Sequence, residues 1–146
     1  MKKLLILTLT SLFVCCTNAP VAQETAVAID DLPAPAQQFI KQHFDSVQVK
    51  KVIREQRASL MQYEVDLKGG IDLQFDRNGV CTEVSSKKDP IPTAVMPEAI
   101  QQQLEARFPG MGVIKYEHDS RLYDIDLADG TEVTFNRAMR LIDVDK

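Results

Sequence analysis

Apolar and polar residues alternate strictly along Tyr63-Glu64-Val65-Asp66-Leu67-Lys68-Gly69-Gly70-Ile71-Asp72-Leu73-Gln74-Phe75. The pattern returns along Tyr123-Asp124-Ile125-Asp126-Leu127-Ala128-Asp129-Gly130-Thr131-Glu132-Val133-Thr134-Phe135. Alternation with period two, broken by glycine and then resumed, marks an antiparallel hairpin with one buried face. Parity fixes the loop. A two-residue loop at Gly69-Gly70 would set Leu67 opposite Asp72 and mix the faces. A three-residue loop, Lys68-Gly69-Gly70, instead pairs Leu67 with Ile71, Val65 with Leu73 and Tyr63 with Phe75. Such a loop needs a left-handed last residue, which glycine adopts without a Cβ clash. Gly70 and Gly130 stand at that position.

A helical period precedes each hairpin. After Leu32-Pro33, the residues Ala36, Phe39, Ile40, His43 and Phe44 recur on one helical face. After Met96-Pro97 the series is Ile100, Leu104 and Phe108, closed by Pro109-Gly110. Strands are expected at residues 49–55, 61–76 (the hairpin), 80–84, 113–118, 123–127, 131–136 and 140–144. Asn78-Gly79 predicts a two-residue turn setting Phe75 opposite Thr82, so that Val80, Thr82 and Val84 face the core while Cys81 and Glu83 face away. Ala138-Met139 occupies the equivalent place in the second unit. Because those residues disfavour positive φ, the last turn is expected to be wider.

The expected fold is α+β, with two tandem helix-plus-antiparallel-strand repeats whose sheets join edge to edge with the helices on one face. Residues 32–86 form the first repeat and 96–146 the second, with residues 87–95 as connector and 23–31 as linker. Residues 1–22 read as a signal peptide, with Lys2 and Lys3 ahead of an apolar run at 4–14 that is short for a membrane span. A lipid anchor on Cys16 is the rival reading, with Phe13-Val14-Cys15 before it. No transmembrane span is expected in the mature chain, which is placed in the periplasm or outside the cell, or on an envelope membrane if lipidated.

Charge and cysteine content narrow the function. The net charge of -4 argues against nucleic acid, because no basic stripe exists to neutralise phosphates. Cys81 is the one cysteine of the expected folded part, so no disulfide forms within it. The two histidines, His43 and His118, read as a packed helix residue and a strand-edge residue. Metalloprotease, phosphate-loop and paired-cysteine spacings do not occur. The chain is read as non-enzymatic, without cofactor or metal. Glu64, Asp66, Asp124, Asp126 and Glu132, together with Asp72, project from the face opposite the core. That face is either solvated or a docking surface for a basic or mixed partner. Calcium is the third reading, although the glycine and downstream glutamate of a calcium loop are missing.

The residues Leu32-Pro33, Phe39-Ile40, Phe44, Tyr63-Glu64-Val65, Leu67, Gly70, Phe75-Asp76 and Gly79 resemble the PepSY-like, beta-lactamase-inhibitor-like proteins of Gram-negative envelopes. The motif recurs as Met96-Pro97, Leu104, Phe108-Pro109, Tyr123-Asp124-Ile125, Leu127, Gly130 and Phe135. The resemblance implies a secreted, non-enzymatic tandem-repeat protein similar in outline to beta-lactamase inhibitory protein, gripping an envelope or secreted protein partner through its open sheet face. Such families often carry tryptophan at the place of Cys81, and this chain has none. Because tryptophan is a frequent interface anchor, its absence favours the alternative of a structural or sensory envelope protein without dedicated inhibitory activity; a weak calcium-binding module is the further alternative.

Overall fold

Each helix is launched by a proline whose carbonyl starts the helical ladder. In the computed structural model, which describes residues 22–146, Pro33 caps α1 (Ala34–Phe44) and Pro97 caps α2 (Glu98–Arg107). The Pro33 carbonyl accepts from the N–H groups of Ala36 and Gln37 at 2.9 and 3.2 Å, and that of Pro97 from Ile100 and Gln101 at 3.0 and 3.1 Å. A glutamine closes each start: Gln37 Nε2 donates to the Leu32 carbonyl and Gln101 Nε2 to that of Met96, both at 2.8 Å. The carbonyl just before each proline is thereby satisfied by a side chain one turn into the helix. The expected leader, but for residue 22, and the candidate lipidation site Cys16 lie outside the described residues.

The strands are β1 (Gln23–Ala26), β2 (Val49–Arg57), β3 (Leu60–Leu67), β4 (Ile71–Asp76), β5 (Cys81–Ser86), β6 (Val113–His118), β7 (Leu122–Leu127), β8 (Glu132–Asn136) and β9 (Leu141–Asp145). They form one antiparallel sheet in sequence order, β1 to β9. The first repeat supplies β2–β5 and the second β6–β9, joined where Glu83, Val84 and Ser85 pair with Glu117, Tyr116 and Lys115. Two short 3-10 turns, Ile29–Asp31 and Thr93–Val95, lead into the helices. The segment read as a linker thus contains a strand, β1, whose Gln23–Ala26 pair with Gln56 through Ile53. It lacks the alternation of a half-buried strand, so its pairing left no hydrophobic signature. None of the described helices is long and apolar enough to cross a membrane.

Both hairpins pair as parity requires. Tyr63, Val65 and Leu67 face Phe75, Leu73 and Ile71, and Tyr123 and Ile125 face Phe135 and Val133. Gly70 and Gly130 both sit at φ +87°. Phe75, Leu73, Val65, Phe135, Ile125 and Val133 are fully enclosed beneath the helices, beside Ile100 and Ala36.

Two turn expectations are corrected. Phe75 pairs with Cys81, not Thr82, because a bulge at Thr82 shifts the register after Gln74. Cys81 therefore enters the core and Val80 is exposed. The loop holds three residues, Arg77-Asn78-Gly79, closed by the Asp76 N–H donating to the Val80 carbonyl at 2.9 Å. Asp76 Oδ1 accepts from the N–H groups of Asn78 and Val80, an Asx arrangement that shapes the turn. The last turn is no wider. Asn136 donates to the Arg140 carbonyl at 2.9 Å, Phe135 pairs with Leu141 across an equivalent bulge, and Met139 itself takes φ +57°. A polar residue at the head of each loop, Asp76 or Asn136, accepts from the strand beyond it and carries the turn whether or not glycine follows.

The open sheet face as candidate functional site

Alternation along β3, β4, β7 and β8 turns Glu64, Asp66, Asp72, Asp124, Asp126 and Glu132 away from the helices. The five residues singled out from the sequence therefore share one face, and their neighbours are also acids. Asp66 pairs directly with Asp72, Asp126 with Glu132, and Glu83 with Glu117 at the repeat junction. Like charges directly opposite one another on a sheet are destabilising. The sequence placed the acids of the first two pairs on this face, strand by strand, without marking their opposition. Glu83 was expected to face away from the core and does so, but its opposition to Glu117 depends on how the repeats join, which no pattern within one repeat signals.

Lysines offset part of this repulsion. Lys115 Nζ lies 2.7 Å from Glu117 Oε2 and 4.0 Å from Glu83 Oε2, spanning the junction pair. Its hydrogen bond to Glu117 raises its pKa above the usual lysine value. Lys87 Nζ lies 2.7 Å from Asp72 Oδ2, and that bond likewise raises the Lys87 pKa. Lys51 pairs with Asp66 across β2 and β3, whereas Arg77 lies in the β4–β5 loop. Glu64 is held above the usual carboxylate range, first by partial burial and then by Asp66 and Asp72, with Lys51 opposing. Asp124 Oδ1 accepts from Thr134 Oγ1 at 2.7 Å.

Away from this face, the two histidines pack against aromatic rings and Cys81 is buried. His43 packs its ring 4.6 Å from that of Phe39, and partial burial lowers its pKa. His118 lies against Tyr116 and Tyr123, with both ring centroids 5.7 Å away. Burial pushes the Cys81 thiol up to about 12, so it stays protonated at neutral pH. An open groove of about 610 Å³ beside α2, lined by Leu104, Phe108 and Met111 with Glu98 and Glu105, holds neither histidine nor cysteine. Among the described residues, no three histidine, cysteine or acidic side chains gather closely enough to hold a metal ion.

Three solved structures share the architecture. A protein described as a putative periplasmic protein from the DUF2874 family of Bacteroides vulgatus ATCC 8482 is 32% identical, with 84% of this chain and 97% of that one covered at a TM-score of 0.81. A protein described as a putative calcium-regulated periplasmic protein from Bacteroides thetaiotaomicron is 34% identical over the same shares, also at 0.81. A putative periplasmic protein of unknown function from Bacteroides vulgatus ATCC 8482 is 25% identical, covering 85% of this chain and 100% of that one at 0.78. No curated protein matches the chain. The family model described as "Putative beta-lactamase-inhibitor-like, PepSY-like" matches twice, at residues 20–81 and 61–143. The two matches cover both structural repeats, and the chain belongs to this PepSY-like family.

Proposed function

We propose that the protein is an exported, non-enzymatic binding module of the cell envelope that docks a basic surface of a protein partner on its open sheet face. Glu64, Asp66, Asp124, Asp126 and Glu132 are its charged contributors. The observation that carries this reading is the opposition of Asp66 to Asp72, Asp126 to Glu132 and Glu83 to Glu117. A face needing only solvation is served equally well by threonine or by mixed charges. Keeping carboxylates side by side has a cost in the free protein that a cationic partner relieves. The family's inhibitor-like character and the periplasmic description of its relatives agree with a partner met outside the cytoplasm.

The test is the double variant Asp66→Lys/Asp126→Lys. Asp66 and Asp126 are half-buried on this face and lie outside the core, so the variant's circular dichroism should match the parent. Capture of envelope proteins should fall, and the deficit should deepen at low salt, where charge steering is strongest. A folded variant that captures the same partner at the same rate overturns the proposal.

The calcium regulation ascribed to the Bacteroides thetaiotaomicron relative offers a second reading. The geometry here favours it less, since the opposed acids come in pairs partly engaged by lysine and, among the described residues, no three groups converge. A thermal shift on adding millimolar calcium, abolished in Asp66→Asn, would favour calcium over the protein partner.

A further inference from the structure

The duplication shows what fits its own free edge. In the first repeat, β5 is covered on its outer side by β6, where Val84 meets Tyr116, Ser85 meets Lys115 and Glu83 meets Glu117. The matching strand of the second repeat is β9. Val144 pairs with Val133 as Val84 pairs with Leu73, and Asp143 pairs with Thr134 as Glu83 pairs with Gln74. Among the described residues, no strand lies on the outer side of β9. Val84 is fully buried, whereas Val144 is 45% exposed. The Val144 N–H donates only to the carboxylate beside it, Asp143 Oδ1, at 3.0 Å, and the Lys146 N–H to Asp145 Oδ1 at 2.8 Å. These alternate amides point away from β8, as in any edge strand.

We infer that β9 is a strand-addition site for an extended segment of a partner protein carrying a cationic–aromatic–cationic triplet. The segment runs antiparallel to β9 as β6 runs to β5, and its backbone takes over the Val144 and Lys146 amides. Its central aromatic residue covers Val144, as Tyr116 covers Val84. Its first cation lies opposite Asp145, where Lys115 lies opposite Ser85, and its second lies opposite Asp143. Charge excludes a second copy as the occupant. β9 against β9 brings aspartates together, and the exposed edge strand β1, Gln23-Glu24-Thr25-Ala26, carries an acid and no cation.

The probe is a capped hexapeptide copied from β6 with its glutamate made lysine, Val-Ile-Lys-Tyr-Lys-His, titrated into isotope-labelled protein. Saturable shifts and slowed hydrogen exchange are expected at Val144 and Lys146. A Val-Ile-Glu-Tyr-Glu-His control should bind about tenfold more weakly, since two attractive cross-strand pairs become repulsive. Val144→Pro removes the outward N–H without touching the β8 ladder, and proline is tolerated on such an edge; it should abolish the response. Should that variant misfold, Asp143→Lys/Asp145→Lys serves instead, and its preference should switch to the glutamate peptide. Asp66→Lys should leave the titration unchanged, which separates this site from the open face. Absence of saturable shifts at β9, equal affinity for both peptides, or a dimer already protecting β9 without peptide would each overturn the inference.

Discussion

His118 of β6 donates from Nε2 to the carbonyl of Cys81 in β5 at 2.6 Å, tying the two repeats together beyond the last residue pair of their shared ladder. The ladder ends at Glu83–Glu117, beside the bulge at Thr82, and the imidazole makes the contact beyond it. His118→Ala should destabilise the protein by about 1–2 kcal/mol, the range for a partly buried hydrogen bond whose acceptor is left behind. Urea denaturation measures the loss. Hydrogen exchange should show the added opening at the β5–β6 junction, with β3 and β8, each two strands from it, unaffected.

Glycines that look alike in sequence should differ in tolerance. A Cβ on Gly79 would lie 2.8 Å from Pro33 Cβ and 2.9 Å from the Ala36 nitrogen, besides meeting a φ of +83°. Gly130 has the same kind of backbone, at +87°, with open space around it. Gly130→Ala should cost about 1 kcal/mol from backbone strain alone. Gly79→Ala should cost about 2–4 kcal/mol, because the turn must also back away from the start of α1. Thermal denaturation of the pair gives the comparison, and equal losses would deny that the β4–β5 turn and α1 are fitted to each other.

Ala58 turns the β2–β3 hairpin at φ +53°, a conformation alanine disfavours, and its side chain is exposed. Ala58→Gly should therefore raise stability by about 0.5–1 kcal/mol despite the added freedom of the unfolded chain. Chemical denaturation midpoints decide it.

His43 gives acid sensitivity of defined sign. Its folded pKa lies below its ordinary value of 6.5, so the neutral ring is favoured in the native state. The associated stability is present above that ordinary value and lost as pH falls through the lowered folded value. Glu64, with a raised pKa, acts oppositely: its contribution is present below the ordinary carboxylate value of 4.5 and lost as pH rises through the raised one. His43→Leu should flatten the decline in stability just below pH 6.5, while Glu64→Gln should change only the more acidic limb. Denaturation across pH measures both slopes.

Cys81 should resist alkylation in the native protein, because burial holds the thiol protonated up to about 12. Iodoacetamide labelling followed by peptide mapping should find Cys81 modified only after denaturation. Rapid native labelling would place it outside the core.

What could be read from the sequence was what parity controls. Tyr63, Val65 and Leu67 had to face Phe75, Leu73 and Ile71, and only one loop length permits it. The bulges at Thr82 and Ile142 leave no compositional signal, yet a single extra residue inverts parity, which is why alternation points Cys81 outward while the fold turns it inward. Met139 at positive φ broke a propensity rule, since Asn136 and the fit of the turn to the helix outweigh a local cost of about 1 kcal/mol. There the Met139 carbonyl accepts from Gln103 of α2 at 2.7 Å. The acids of the candidate face were visible one strand at a time. Their opposition across strands depends on register, and the Glu83–Glu117 pair exists only because one repeat abuts the other.

The neighbour-only order of the sheet has a consequence for how the chain is made. Every strand from β2 onward finds its first partner in the strand that emerged just before it. A chain released N-terminus first, from a ribosome or an export channel, can zip each new strand onto the last without waiting for a distant segment. Loop closures stay short within each repeat and lengthen only where a helix intervenes, before β2 and before β6, which favours rapid assembly. The growing edge is always the most recent strand, so each strand is a template for the next before the sheet is complete.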